Sequence, residues 1–172
     1  MHEALLLMKR RDEFTAPDLP HRPSLAIQKL ELEIAKHGAD QVAVIGSSLG
    51  GYYATWLAEK HGLRAVLVNP VVNAHLLLAP CLGTQKNFYT GEQYQFTQQH
   101  LKELGQYNTS LITRPGRYLL LVQTGDEVLD YRQAVEKYRG ARQVVIQGGD
   151  HGFADFSKYI PMILEFAAGK LP

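Results

Sequence analysis

A single cysteine, Cys81, stands in 172 residues, so no internal disulfide can form. With no metal-ligand spacing around it, the thiol reads as structural and suits a reducing compartment. A surplus of positive or negative charge is also missing. Eighteen Lys and Arg stand against 17 Asp and Glu, a formal charge of +1, and no basic block with interleaved aromatics marks a nucleic-acid surface. Long apolar runs are absent too. The start, MHEALLLMKRR, holds an apolar run too short for a signal-peptide core, its charges follow the run, and nothing approaches a membrane span. These absences count against a disulfide scaffold, an electrostatic nucleic-acid binder and a spanning protein. The expectation is a soluble cytoplasmic protein with no nucleic-acid and no membrane partner.

What is present is enough apolar material, 45% of residues, to build the core of a single domain spanning 1–172. Runs rich in Val, Ile and Leu recur at QVAVIG (41–46), RAVLVNP (64–70), RYLLLVQTG (117–125) and RQVVIQGG (142–149). They do not alternate polar with apolar, so each reads as a strand buried on both faces. EFTAPDLP (13–20) reads as a weaker strand ending in proline. Helical patterns fill the intervals: Ser24 to His37, Leu49 to His61, Tyr131 to Arg139 and Asp155 to Ala168. Strands alternating with helices predict an α/β fold, a mainly parallel sheet with helices on both faces. One connection, Val71 to Thr113, is long for this scheme and carries Phe88, Tyr89, Tyr94, Phe96 and Tyr107. It reads as a lid-like insertion or as an ordinary helix with decorated loops.

Gly46-Ser47-Ser48-Leu49-Gly50 fits Gly-x-Ser-x-Gly with Ser48 central, after one expected strand and at the start of one expected helix. A serine at the tip of such a turn sits in strained backbone, which explains small residues two before and two after it. Gly51 and Ala54 continue the small residues and would let the helix approach the sheet. The first helical N–H, that of Leu49, is the natural oxyanion donor above Ser48. The alternative for this turn is a phosphate site at a helix N-terminus.

A serine hydroxyl needs a base, and the base needs a carboxylate to hold its tautomer. Of seven histidines, His2, His21, His37, His61, His75 and His100 read as ordinary surface residues. His151 follows the last strand on a glycine-rich loop, at the carboxyl edge of the sheet where open α/β folds place their sites. Asp126 is best placed as the acid, directly after the preceding strand. Asp130 reads as a helix N-cap and Asp150 as a turn residue, and both remain rivals. Asp126, Asp130 and His151 lack the spacing of a metal-ligand set, so no metal is expected.

The order Ser48, Asp126, His151 goes with an α/β-hydrolase sheet. The strings IGSSLGGYYATWLAEKHGLRAVLVNP, YTGEQY, QTGDEVLDYRQAV and GGDHGFADF resemble the YqiA-type esterases of the α/β-hydrolase superfamily. The resemblance implies a three-layer α/β-hydrolase sandwich and a serine esterase. Its partner would be a small-molecule carboxylic ester of short to medium acyl chain, or a thioester, and it would need no cofactor.

Members of that family begin with an apolar strand and a His-Gly loop that supplies a second oxyanion donor. The segment MHEALLLMKRRDEFTAPDLPHRP corresponds instead to the family's first helix and the strand after it, here near residues 13–17. The expectation is that the reading frame upstream of Met1 encodes the strand and the loop. If Met1 is the start, the alternative is a catalytically silent binding protein on the same fold.

Overall fold

Six strands form among the residues that the computed structural model describes, 11–87 and 91–171. β1 (Ala43–Ser48), β2 (Arg64–Pro70), β5 (Tyr118–Gln123) and β6 (Arg142–Ile146) make one parallel sheet in the order β1-β2-β5-β6. β3 (Gly83–Lys86) and β4 (Gln93–Phe96) pair separately as an antiparallel hairpin inside the long connection. The helices are α1 (Pro23–His37), α2 (Leu49–His61), α3 (Ala74–Leu77), α4 (Gln98–Gln106), α5 (Tyr131–Lys137) and α6 (Ile160–Ala167).

The unbroken apolar runs of β2 and β5 follow from burial of both sheet faces, since successive side chains point to opposite sides. β6 departs from the expectation of burial on both faces: Arg142 and Val145 are exposed, because this strand has a neighbour on one side only among the described residues. On one face Ala65, Leu67, Leu120 and Val122 pack with Tyr52 and Leu57 of α2. On the other, Val66, Val68, Leu119 and Leu121 pack against Ile163 and Phe166 of α6 and against Phe153. Helix boundaries follow local chemistry. Pro23 opens α1, where its missing N–H costs nothing, and Gly62 closes α2 in the left-handed region at φ 72°. The last helix is shorter than the sequence pattern: Phe156–Tyr159 is a 3-10 turn and the α-helix starts at Ile160.

The strand expected near residues 13–17 does not form. Arg11–Glu13 is a 3-10 turn and the chain from 14 to 20 is irregular. A strand needs a neighbour about 4.8 Å away to bond with. Instead, a cavity of about 720 Å³ separates Phe14 and Leu19 from Val42 and Val44, with Ile34 and Leu57 on its helical side. β1 is therefore one edge of the four-stranded sheet among the described residues, β6 being the other, and Ala43, Val44 and Ile45 stay half-buried while every residue of β5 is buried.

The connection from 71 to 113 holds α3, the hairpin and α4, and α4 packs on α1 and α3. Glu103 ties it down. Its carboxylate accepts from Arg22 Nε (3.0 Å) and Nη2 (2.8 Å), from the Ser24 N–H (3.1 Å) and from Gln99 Nε2 (3.1 Å). The Tyr52 hydroxyl donates to the Leu104 carbonyl at 2.6 Å. Tyr94 stacks on His21, Phe96 is buried beside His100, and Tyr107 meets Trp56 edge-on. Phe88 and Tyr89 lie outside the described residues. His100 corrects the expectation of a surface histidine: it is buried and its Nδ1 closes the capping box of α4 with Thr97.

Candidate active site

Ser48 ends β1 with φ 52° and ψ −122°, a backbone conformation that costs a non-glycine residue energy and that the surrounding structure must enforce. The enforcement comes from both sides. A Cβ on Gly46 would lie 2.2 Å from the Gly50 carbonyl oxygen, and one on Gly51 would lie 2.6 Å from Pro70 Cβ. Gly50 itself has open space where a Cβ would go, so the steric demand falls on Gly46 and Gly51 rather than on the second glycine of the motif. The Val71 N–H donates to the Ser48 carbonyl at 3.1 Å, anchoring the turn to the end of β2. Leu49 is the first residue of α2, and an N–H there has no acceptor within the helix.

His151 and Asp126 meet Ser48 at the carboxyl edge of the sheet. His151 Nε2 lies 3.1 Å from Ser48 Oγ, and His151 Nδ1 lies 3.0 Å from Asp126 Oδ1 and 3.0 Å from Oδ2. A hydrogen on Nδ1, directed at the carboxylate, leaves Nε2 as the acceptor facing the serine hydroxyl. The Asp126 side chain is 2% exposed, yet its charge is satisfied, because Oδ1 also accepts from the Val128 and Leu129 N–H groups, each at 2.9 Å. The His151 side chain is 24% exposed and its ring is open to an incoming molecule. The His151 N–H donates to Glu127 Oε2 at 3.0 Å.

The two rival acids take other places. Asp130 caps α5, accepting from the Arg132 N–H at 3.0 Å, as its position suggested. Asp150 enters the network through its backbone: its N–H donates to Gln123 and its carbonyl accepts from Asn69 and from the Phe153 N–H. Asn69 and Gln123, buried at the ends of β2 and β5, escaped the sequence reading. The sequence shows each as a polar residue near the carboxyl end of a mainly apolar strand, which marks its place but not its partners. The cavity beside β1 reaches Gly50 but none of Ser48, Asp126 and His151.

The model of an uncharacterised protein family, UPF0227, matches residues 2–168. The chain belongs to this family. The YqiA-type resemblance pointed to the same place. Among solved structures, the UPF0227 chain is similar to a putative hydrolase from Agrobacterium vitis S4, with 17% identity and a TM-score of 0.65 over 84% of this chain and 68% of that one. An esterase domain from Rhodothermus marinus matches with 18% identity and a TM-score of 0.55, over 84% of this chain and 66% of that one. A monoacylglycerol lipase from Paleococcus ferrophilus matches with 13% identity and a TM-score of 0.62, over 90% and 78%. The fold is that of the α/β-hydrolases, and the chain spans about two thirds of the first two structures.

Among the described residues no helix is long and apolar enough to cross a membrane. No group of three His, Cys, Asp or Glu side chains there could hold a metal ion.

Proposed function

We propose that this chain is a serine hydrolase that cleaves carboxylic esters of short to medium acyl length through an acyl-enzyme. The observation that carries the reading is the continuous run of hydrogen-bond contacts from Ser48 Oγ through His151 to Asp126. Ser48 Oγ attacks the ester carbonyl as His151 Nε2 takes its proton, and Asp126 holds the imidazolium that forms. The Leu49 N–H, at the positive end of α2, donates to the oxyanion. His151 then gives its proton to the leaving alcohol and draws one from water as that water attacks the acyl carbonyl; the C–O bond to Ser48 breaks, His151 returns its proton to Ser48 Oγ, and the carboxylic acid leaves. No step calls for a cofactor.

Thioesters fit the same steps, with a thiol leaving in place of an alcohol. Val71 and Val72, which follow the strand abutting Ser48, open the insertion that would wall the acyl site, as a lid-like element of the same domain. The lone thiol suits work in the cytoplasm. Rates of p-nitrophenyl acetate, butyrate and octanoate hydrolysis, set beside acyl-CoA hydrolysis, test the reading and rank its substrates. Turnover that disappears in Ser48→Ala supports it; equal turnover in that variant, or none by the folded native chain on either substrate class, rejects it.

A further inference from the structure

The loop that carries His151 is an unusual piece of chain. Within residues 147–155, Gly148 (φ 75°), Gly149 (φ 76°), Phe153 (φ 66°) and Asp155 (φ 60°) all occupy the left-handed region, and one of these four, Phe153, carries a bulky side chain that disfavours it. A loop so far from relaxed backbone keeps one shape only where its surroundings determine it. Two buried amides do so. Asn69 is 2% exposed and Gln123 is 3% exposed. Asn69 Nδ2 donates to the carbonyls of Asp150 (3.0 Å) and His151 (3.1 Å), while its Oδ1 accepts from the Gln123 N–H (3.0 Å). Gln123 Oε1 accepts from the N–H groups of Asp150 (3.0 Å) and Ala154 (2.9 Å), and its Nε2 donates to the Ala154 carbonyl (2.8 Å). Gly149 must be glycine to admit this side chain, since a Cβ there would lie 2.0 Å from Gln123 Oε1.

Asn69 also touches the other half of the site through its chain neighbours. It sits at φ 39°, and the next two residues are Pro70, packed on Gly51, and Val71, whose N–H bonds the Ser48 carbonyl. One residue thus joins the strand end against the nucleophile turn to the carbonyls that flank the base. We infer that Asn69, braced by Gln123, is the positioning residue that sets the reach of His151 to Ser48. The inference rests on the function proposed above and adds the element that aligns its base.

Asn69→Leu keeps the branched outline and removes every side-chain bond, and Asn69→Asp keeps the acceptor and removes both donors. A core control, Tyr138→Phe, removes a buried hydroxyl that bonds Thr55 Oγ1 at 2.7 Å and has no link to the loop. Steady-state ester hydrolysis and backbone amide exchange across 150–154 are read in all three variants. In either Asn69 variant, kcat falls about a hundredfold with KM within about twofold, as a misplaced catalytic group demands. Exchange across 150–154 speeds up at least tenfold, to an extent that the control does not reach. A folded Asn69 variant with native kcat, unchanged exchange across 150–154, or a control that reproduces both effects overturns the inference. Should Asn69→Leu fail to fold, Asn69→Asp decides on the same readings. A native chain with no esterase activity sinks the proposed function instead, and the exchange measurement alone then decides whether Asn69 orders the loop.

Discussion

His151 is bonded on both ring nitrogens, to Ser48 Oγ at 3.1 Å through Nε2 and to both oxygens of Asp126 at 3.0 Å through Nδ1. Asp126 is already held by two backbone N–H groups, so replacing its charge leaves the loop anchored while removing what selects the tautomer. Asp126→Asn is expected to fold and to lose about 10⁴ in kcat, in keeping with a base held in the wrong tautomer. Steady-state kinetics beside a thermal melt checks this. A loss under about tenfold would mean that Asp126 is not the group His151 depends on.

The Ser48 turn separates two glycines that the motif treats alike. A Cβ at Gly46 meets the Gly50 carbonyl at 2.2 Å, whereas a Cβ at Gly50 meets nothing within 4 Å. Gly46→Ala is expected to unfold the chain or cut its melting temperature sharply. Gly50→Ala, inside a helix where glycine costs roughly 0.5–1 kcal/mol relative to alanine, is expected to leave stability unchanged or raise it. Melts of both variants by circular dichroism give the comparison. Equal damage from the two would show that the turn's glycine requirement has another origin.

Glu103 links acid stability to the insertion. Burial pushes its carboxyl up, but the bonds from Arg22, Ser24 and Gln99 outweigh this and hold it at about 2, against an ordinary value of 4.5. Because the folded value is the lower one, the unfolded chain binds the proton first, and stability falls as pH drops from about 5 toward 2. Melting temperature measured between pH 6 and 2 is expected to fall less steeply in Glu103→Gln than in the native chain. Parallel slopes would place the acid sensitivity elsewhere.

Phe166 is fully buried on the α6 face of the sheet, with the Arg64 guanidinium 5.7 Å over its ring. Phe166→Ala is expected to cost about 3–5 kcal/mol, measured by urea unfolding, because the rigid strands beneath cannot close over the space left behind. A cost under about 1 kcal/mol would mean that this face is less tightly packed than its burial implies.

The two central strands are legible because burial on both faces writes itself as unbroken apolar runs, and Arg64–Pro70 lies where its run predicts; the outer strands carry the same apolar runs with less burial. The placement of Ser48 and His151 at the carboxyl edge of the sheet is legible for a related reason: strand ends mark where a parallel sheet exposes its loops, and glycines mark the turns between. The segment from 13 to 20 was misread because residue composition reports extended propensity, whereas strand formation needs a partner at bonding distance. Gly50 was misread because a motif records which residues recur and not which atoms collide. The roles of Asn69 and Gln123 are not legible in the sequence because each bonds backbone from 27 to 82 residues away, a pairing that only the folded chain displays.

The central claim is that Ser48 is a nucleophile activated by His151. Incubating the folded native chain with a fluorophosphonate probe and mapping the adduct by peptide mass spectrometry tests it most directly. The expected result is a single adduct on the peptide containing Ser48, absent in Ser48→Ala and slowed in His151→Ala. Labelling that persists in Ser48→Ala, or no labelling of the native chain, would contradict it.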